Sequence, residues 1–381
     1  MLSMFGSKKI WIVIVVTLIG AGVLGERLLF SHPVSQSKNP DLPYFDYLVV
    51  IVMENAGINA TYGSSCKGNC TYVTQLANTF SLAKNYSGVA HRSGPDYLTL
   101  TSGGNYSYSP FDTDCGPQVG DCYITAPNII DRIEATGRTW KAYMEDYPLI
   151  QGCSRTQAII GKNAYVNDHN PFLYYTDISN DPSRCSRIVS ANPQSEGYLA
   201  LPTVLFSDLN NLGSTPNFMW LSPNGCDDGH STCTDTYSNS TCTNFERCIS
   251  QGNEYLSLVV PQILASNTFK TRNAILYITW DEGNSCTNPP IGQTYPTCID
   301  RVPAIFAGSH VKRGYVSNTG FSHYSFVKTL EVAWNFSALT PLDDGATPMT
   351  TFFDPPLASS EAALRSATAE WTIVNWICKH I

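Results

Sequence analysis

The stretch Tyr47-Leu-Val-Val-Ile-Val-Met53 runs straight into Glu54-Asn55, and its reading decides the fold. An apolar run without polar alternation predicts a strand buried on both faces, as found in parallel sheets with helices above and below. A carboxylate and an amide then stand at the strand's carboxyl end, where open α/β sheets bind their ligands. Asn55-Ala-Gly57 also reads as an ordinary strand-ending turn, so the choice rests on the rest of the chain.

Outward from that strand, apolar runs predict further strands at Thr139–Met144, Asn217–Leu221, Ala274–Trp280 and Val302–Ala307. Helical patterns fall at Tyr72–Phe80, Ile129–Ala135, Val204–Leu212, Tyr255–Ala265, Tyr324–Trp334 and Glu361–Trp371. The alternation predicts a three-layer α/β/α sandwich around a mainly parallel sheet. With 381 residues, 43% hydrophobic and 12% aromatic, the chain has material for one large core, and no compositional break divides it after residue 45. A net charge of −8 without a basic run argues against a nucleic-acid partner. Charged residues make up only 14%, so the surface changes little in charge as carboxylates titrate, which suits an acidic medium and equally a glycosylated coat.

At the N-terminus Lys8-Lys9 precede an uncharged apolar run, Ile10 to Gly25, which predicts a signal peptide or signal anchor over residues 1–30 that puts the rest of the chain outside the membrane. Residues 31–45 read as a linker, 46–360 as one catalytic domain and 361–381 as a C-terminal helical segment. Thirteen cysteines fit an oxidising compartment. Their proximity suggests local disulfides Cys66/Cys70, Cys115/Cys122, Cys153/Cys185, Cys226/Cys233, Cys242/Cys248 and Cys286/Cys298, with Cys378 left over. A cysteine metal cluster is the rival reading, but no CxxC occurs and the couples lie in Gly/Asn/Thr-rich loops. Glycosylation sequons at Asn59, Asn69, Asn85, Asn105, Asn239 and Asn335 point to the same surface-exposed or secreted location.

Four further stretches carry candidate chemistry. In His91-Arg-Ser-Gly-Pro-Asp96, Pro95 and Asp96 are first-turn residues, so Ser93 stands at a helix N-terminus. There the dipole favours an alkoxide or a phosphate, although a serine N-cap uses the same pattern. Asp281-Glu282 directly follow an apolar run, and adjacent carboxylates at a buried strand end call for a cationic partner. Pro223-Asn-Gly-Cys-Asp-Asp228-Gly-His230 and Ser322-His323 add acid and imidazole groups at two more element ends.

Together, Met53-Glu-Asn55, Ser93-Gly-Pro-Asp-Tyr-Leu-Thr-Leu-Thr-Ser-Gly103, Trp140-Lys-Ala-Tyr-Met-Glu-Asp-Tyr-Pro148, His169 to Ile178, Pro223 to His230, Thr279-Trp-Asp-Glu-Gly283 and Ser322 to Glu331 resemble the phosphoesterase family of acid phosphatases and phosphatidylcholine-type phospholipases C, within the alkaline-phosphatase-like superfamily. The resemblance implies a divalent metal (Mg, Ca, Mn or Zn) held by Glu54, Asn55, Asp281 and Glu282, with Ser93 both ligand and nucleophile. The all-oxygen set favours Mg, Ca or Mn over Zn. Asp228, His230 and His323 match either a second metal or the groups around the phosphate, and His91 and His169 lie in matching motifs. The implied activity is an extracytoplasmic phosphomonoesterase acting on a small phosphate ester through a phosphoserine, with His230 or His323 as proton donor.

Asp96 stands where relatives carry Asn; a protonated Asp96 donates to phosphate whereas an ionised one repels it, so an acidic optimum is expected. Sulfatases of the superfamily carry x-Pro-x-Arg after the nucleophile, and here Asp96-Tyr97 follow Pro95, so the arginine is missing. A phospholipase C-type diesterase, with Tyr106-Ser-Tyr-Ser-Pro-Phe111 as an apolar rim, and a non-catalytic surface glycoprotein remain as alternatives.

Overall fold

The computed structural model describes residues 45–117, 120–148, 153, 164–195, 197–230, 244–283 and 301–354. The expected N-terminal segment, all but the last residue of the linker, and the helix expected at Glu361–Trp371 lie outside these residues.

Nine strands in the described residues form one sheet: β1 (Tyr47–Met53), β2 (Ser81–Ser87), β3 (Trp140–Met144), β4 (Ile188–Ser190), β5 (Phe218–Ser222), β6 (Ala274–Trp280), β7 (Arg301–Gly308), β8 (Tyr315–Ser317) and β9 (Phe321–Ser322). Their order is β4-β3-β5-β1-β6-β7-β2-β8, with β9 beside β2. β1 pairs in parallel with β5 on one side (Leu48 opposite Phe218) and with β6 on the other (Tyr47 opposite Ala274). Only β7 runs against its neighbours, β6 and β2. The result is an α/β fold with a mixed, largely parallel sheet, as the apolar runs predict. Every residue of β5 and β6 is buried, and β1 is buried from Leu48 onward, which is why these strands lack alternation.

Sequence reasoning missed the short strands β4, β8 and β9 and, with most consequence for the site, β2. Ser81-Leu-Ala-Lys-Asn-Tyr-Ser87 carries Lys84 and Asn85 where its register with β7 shifts between Ala83 and Tyr86. That irregularity releases two polar residues from the pleat without ending the strand.

The longer helices are α1 (Thr71–Thr79), α2 (Ser93–Ser102), α3 (Ile129–Ala135), α4 (Thr203–Asn210), α5 (Phe245–Leu264) and α6 (His323–Trp334). α2 is buried along its whole length and packs on α6, while α1 packs on α5. α5 begins ten residues before the expected Tyr255, at an Asn244 N-cap whose side chain accepts from the Arg247 N–H at 2.9 Å. Ser250-Gln-Gly-Asn253 hid its first half, because Gln251 and Gly252 are buried although neither is apolar.

The described residues contain the disulfides Cys66–Cys70, Cys115–Cys122 and Cys153–Cys185, in agreement with three of the expected couples. Cys226 and Cys248 are also disulfide-bonded. Cys233, Cys242, Cys286, Cys298 and Cys378 lie outside the described residues, as does Asn239. The other sequon asparagines reach the surface: Asn59, Asn105 and Asn335 are exposed, Asn69 and Asn85 half-buried.

One close approach ties α5 to the loop after β5. A Cβ at Gly252 would lie 2.8 Å from the Gly229 Cα, and Gly229 itself sits at φ +92°. Alanine at 252 would gain about 1 kcal/mol in helix propensity, but the overlap is with backbone that cannot rotate aside. Gly252→Ala is therefore expected to lower stability by about 1–2 kcal/mol net, read as a lower denaturant midpoint at unchanged m-value. A raised midpoint would mean that the loop gives way freely.

Candidate active site

β1, β5 and β6 deliver their carboxyl ends to one place, and two backbone bonds lock those ends together. The Glu54 N–H donates to the Asp228 carbonyl at 2.9 Å and the Asp281 N–H to the Met53 carbonyl at 3.0 Å. Asn55 then turns out of the strand at φ +41°, a left-handed conformation that asparagine tolerates better than most residues. Its N–H donates to Asp281 Oδ1 at 2.8 Å.

Ser93 enters from the opposite side as the first residue of α2. Arg92, the N-cap residue, is extended and makes no side-chain cap. Ser93 is only 7% exposed, and its hydroxyl donates to Glu54 Oε2 at 3.0 Å. Asn55 Nδ2 lies 3.3 Å from Ser93 Oγ, 2.9 Å from Glu54 Oε2 and 3.2 Å from His230 Nδ1. Around this centre His169 Nε2 stands 3.1 Å from Glu54 Oε1, its ring stacked on Tyr97 with centroids 5.1 Å apart. His91 Nδ1 meets Glu282 Oε2 at 2.7 Å.

The electrostatics are dominated by buried acid. Burial pushes the Glu54 carboxyl well above the usual range, helped by the Asp281 and Asp228 charges. Asp281 is raised by burial and then by Glu282. Asp281 Oδ2, buried, has no hydrogen-bond partner, and such an oxygen beside a second carboxylate is what a hard cation would satisfy. Among the described residues no group of three His, Cys, Asp or Glu side chains closes into a metal cage. The donor set that fits is mixed: the Glu54 and Asp281 carboxylates with the Asn55 amide and Ser93 hydroxyl, and Glu282 next along the chain.

His323 and Asp96 sit differently from the sequence expectation. His323 is fully buried, with Nε2 2.6 Å from the Asp281 carbonyl and Nδ1 2.8 Å from the Tyr86 hydroxyl. A carbonyl only accepts, so Nε2 carries the proton and Tyr86 donates to Nδ1. Burial lowers His323 to about 4, and His169 likewise to about 4. His323 thus braces the backbone of Asp281. Asp96, expected beside the phosphate, is also fully buried: Oδ1 accepts from the Val89 and Ala90 N–H groups at 2.8 and 3.2 Å and lies 3.3 Å from His323 Nε2. Burial, then Glu282, raises its carboxyl. Asp228 holds the following turn through Oδ1, which accepts from the His230 N–H at 2.9 Å, and leaves His230 exposed at the mouth.

Two features escaped sequence reasoning. Asn224 is the hub of the loop that carries Asp228 and His230: its N–H donates to Glu145 Oε2 (3.1 Å), its Nδ2 to Asp146 Oδ2 and the Gly197 carbonyl (both 3.0 Å). Glu145-Asp146 after the β3 run is the same signal as Asp281-Glu282 after β6. Asp114, from an irregular loop with no pattern to mark it, reaches the first turn of α2, where Oδ1 accepts from the Gly94 N–H at 3.2 Å.

Comparison with known proteins bears on this arrangement. A phosphatidylinositol-3-phosphatase from Mycobacterium tuberculosis is 26% identical over 314 residues, covering 81% of this chain and 85% of its own. A phosphate-repressible acid phosphatase from Penicillium chrysogenum is 25% identical over 277 residues, 72% of this chain; the chain spans only 57% of that longer relative. A solved structure from Vibrio parahaemolyticus, described as a protein in the alkaline phosphatase superfamily, superposes with a TM-score of 0.53 at 12% identity, covering 83% of this chain and 72% of that one, a likeness of fold alone. The profile of the phosphoesterase family matches residues 53–337, a span that starts at the end of β1 and takes in Ser93, Asp281 and Glu282, and the chain belongs to that family.

Proposed function

We propose that the protein is an extracytoplasmic, metal-dependent phosphomonoesterase of acid-phosphatase type, acting through a phosphoserine on Ser93. The observation that carries the reading is the Ser93 hydroxyl: buried, first in its helix, and bonded to Glu54 Oε2 at 3.0 Å with Asn55 Nδ2 at 3.3 Å. A spare N-cap serine would bond its own helix; this one instead faces a carboxylate and an amide from the end of β1. The disulfides support the compartment, since such bonds persist in oxidising surroundings. The names of the mycobacterial and fungal relatives support the reaction class.

Glu54, Asn55, Asp281 and Glu282 would hold a divalent cation with Ser93, and all five offer oxygen. When bound, such an ion supplies the positive charge that lowers the pKa of an adjacent hydroxyl and offsets charge on phosphoryl oxygens. The chain's own groups do the rest. Glu54 Oε2 takes the hydrogen bond of the Ser93 hydroxyl and is placed to receive its proton. Asn55 Nδ2 donates toward the same point, and the α2 N-terminus favours negative charge there. His230, exposed at the mouth 3.2 Å from Asn55 Nδ2, is the imidazole placed to protonate a leaving oxygen; His323, braced between Tyr86 and Asp281, keeps that strand end in register. Tyr108, 53% exposed beside Tyr106 and Phe111, favours a second reading on the same chemistry, a phosphate ester carried by a lipid or aryl group.

Ser93→Ala is expected to reduce hydrolysis of a chromogenic phosphate monoester by at least about a thousandfold while keeping the melting temperature within a few degrees. Retained turnover would remove Ser93 from the nucleophile role. Mg²⁺, Ca²⁺, Mn²⁺ or Zn²⁺ added to chelated protein should raise its melting temperature, through binding to the folded state alone; in Asp281→Asn that rise should shrink or vanish. An equal rise in both proteins would place the metal elsewhere.

A further inference from the structure

We propose that Asp114 is a specificity element of the Ser93 site, a fixed internal anion that competes with the substrate's phosphoryl oxygens for the Gly94 N–H. The inference rests on Ser93 as the phosphate-accepting residue. It starts from a shortage of donors at the α2 N-terminus. Pro95 has no N–H, and the Asp96 N–H already closes the first helical bond to the Arg92 carbonyl at 3.4 Å. The donors that this turn presents to an anion are therefore those of Ser93 and Gly94. Asp114 Oδ1 accepts from one of them, Gly94, at 3.2 Å.

The carboxylate is held there by construction. Asp114 ends the short turn Phe111–Thr113 in a left-handed conformation, φ +50°, with its N–H bonded to the Phe111 carbonyl. Cys115, its neighbour, is fixed by the disulfide to Cys122 and by the Tyr174 hydroxyl, which donates to the Cys115 carbonyl at 2.8 Å. On its other oxygen the contact is loose: Arg92 Nη1 lies 3.5 Å from Oδ2, on a side chain 56% exposed. Arg92 is thus a weak counter-charge, and an approaching phosphate meets a carboxylate bonded to the amide that follows Ser93. The groups that face Asp114 are Arg92 from the α2 N-cap, the Tyr174 hydroxyl, and Asp168 from the loop before His169; burial and then the Asp168 charge push its carboxyl up, against the Gly94 hydrogen bond and Arg92. Toward acid the Asp114 carboxyl loses its charge, and the repulsion weakens with it. As pH rises through its raised pKa the repulsion switches on.

The plain structural role, an N-cap for α2 supplied from outside the helix, makes a different prediction. Asp114→Asn keeps the oxygen that accepts from Gly94 and removes only the charge. Inorganic phosphate binding to the protein as purified, measured by calorimetry from about pH 4 to pH 7, separates the two. The Asn variant should bind phosphate about three- to tenfold more tightly than wild type at the upper end of that range, the difference closing toward the acid end. Asp114→Ala, which removes charge and cap together, should show the same tightening with a lower melting temperature. Equal affinities at every pH, or a ratio that does not change with pH, would overturn the proposal while leaving the reading of Ser93 intact. Absence of any phosphate binding by wild type would overturn both.

Discussion

Four carboxylates, Glu54, Asp96, Asp281 and Glu282, are buried at one end of the sheet, and the rest of the site depends on how their charge is balanced. Taking an unpaired carboxylate out of water costs several kcal/mol even after relaxation, so this arrangement persists only with protons or a cation among the oxygens. His169 and His323 do not supply the charge, since burial keeps both neutral down to about 4; His91, 2.7 Å from Glu282 Oε2, is the imidazole paired with these carboxylates. Burial also raises the Glu54, Asp96 and Asp281 carboxyls, so each holds a proton more readily than a free carboxylate does. A divalent ion held by Glu54 and Asp281 would displace protons from them, which would couple metal uptake to proton release.

The balance holds only if the strand ends stay in register, and the sheet secures this with backbone bonds. β1 is gripped on both sides, by the loop after β5 at Glu54 and by β6 at Asp281. A second tier keeps those neighbours in place. Asn224, bonded to Glu145 and Asp146 at the end of β3, fixes the loop that offers the Asp228 carbonyl; the Tyr86 hydroxyl, through His323, fixes the Asp281 carbonyl. Side chains that never face Ser93 thereby set where its partners stand, as outer-shell groups commonly do at metal and phosphate sites.

How much of this was legible in the sequence follows from how local each signal is. β1 and β6 announced themselves because a strand buried on both faces has no polar positions to confuse the pattern, and Glu54, Asn55, Asp281 and Glu282 follow such runs directly. Ser93 was legible from Pro95 and Asp96 in the first helical turn. The placements of Asp96 and His323 were not, because both depend on where β2 lies, and β2 carries Lys84 and Asn85 across its register shift. Without β2, nothing local says that Asp96 caps the Val89–Ala90 turn. Asp114 was invisible for a similar reason: its partner is a backbone N–H in another element, and no side-chain pattern records that contact.

The junction of β2 and β6 shows how tightly the two tiers are joined. A Cβ at Gly88 would stand 2.8 Å from the Asp281 carbonyl oxygen and 3.4 Å from Asp96 Oδ1. The same carbonyl accepts from His323 Nε2 at 2.6 Å. The chain leaving β2 therefore passes so close to Asp281 that only glycine fits, and it does so in order to turn Val89 and Ala90 toward Asp96. A longer side chain at Asp96 would drive this turn away from α2, and a shorter one would leave the buried Ala90 N–H and the half-buried Val89 N–H without that acceptor. Because Ser93 lies one turn of α2 before Asp96, the bonds to Val89 and Ala90 also fix how far the Ser93 hydroxyl projects toward Glu54. The distance between Ser93 and its carboxylate partner is thus set from both ends, by β1 through Glu54 and by β2 through Asp96.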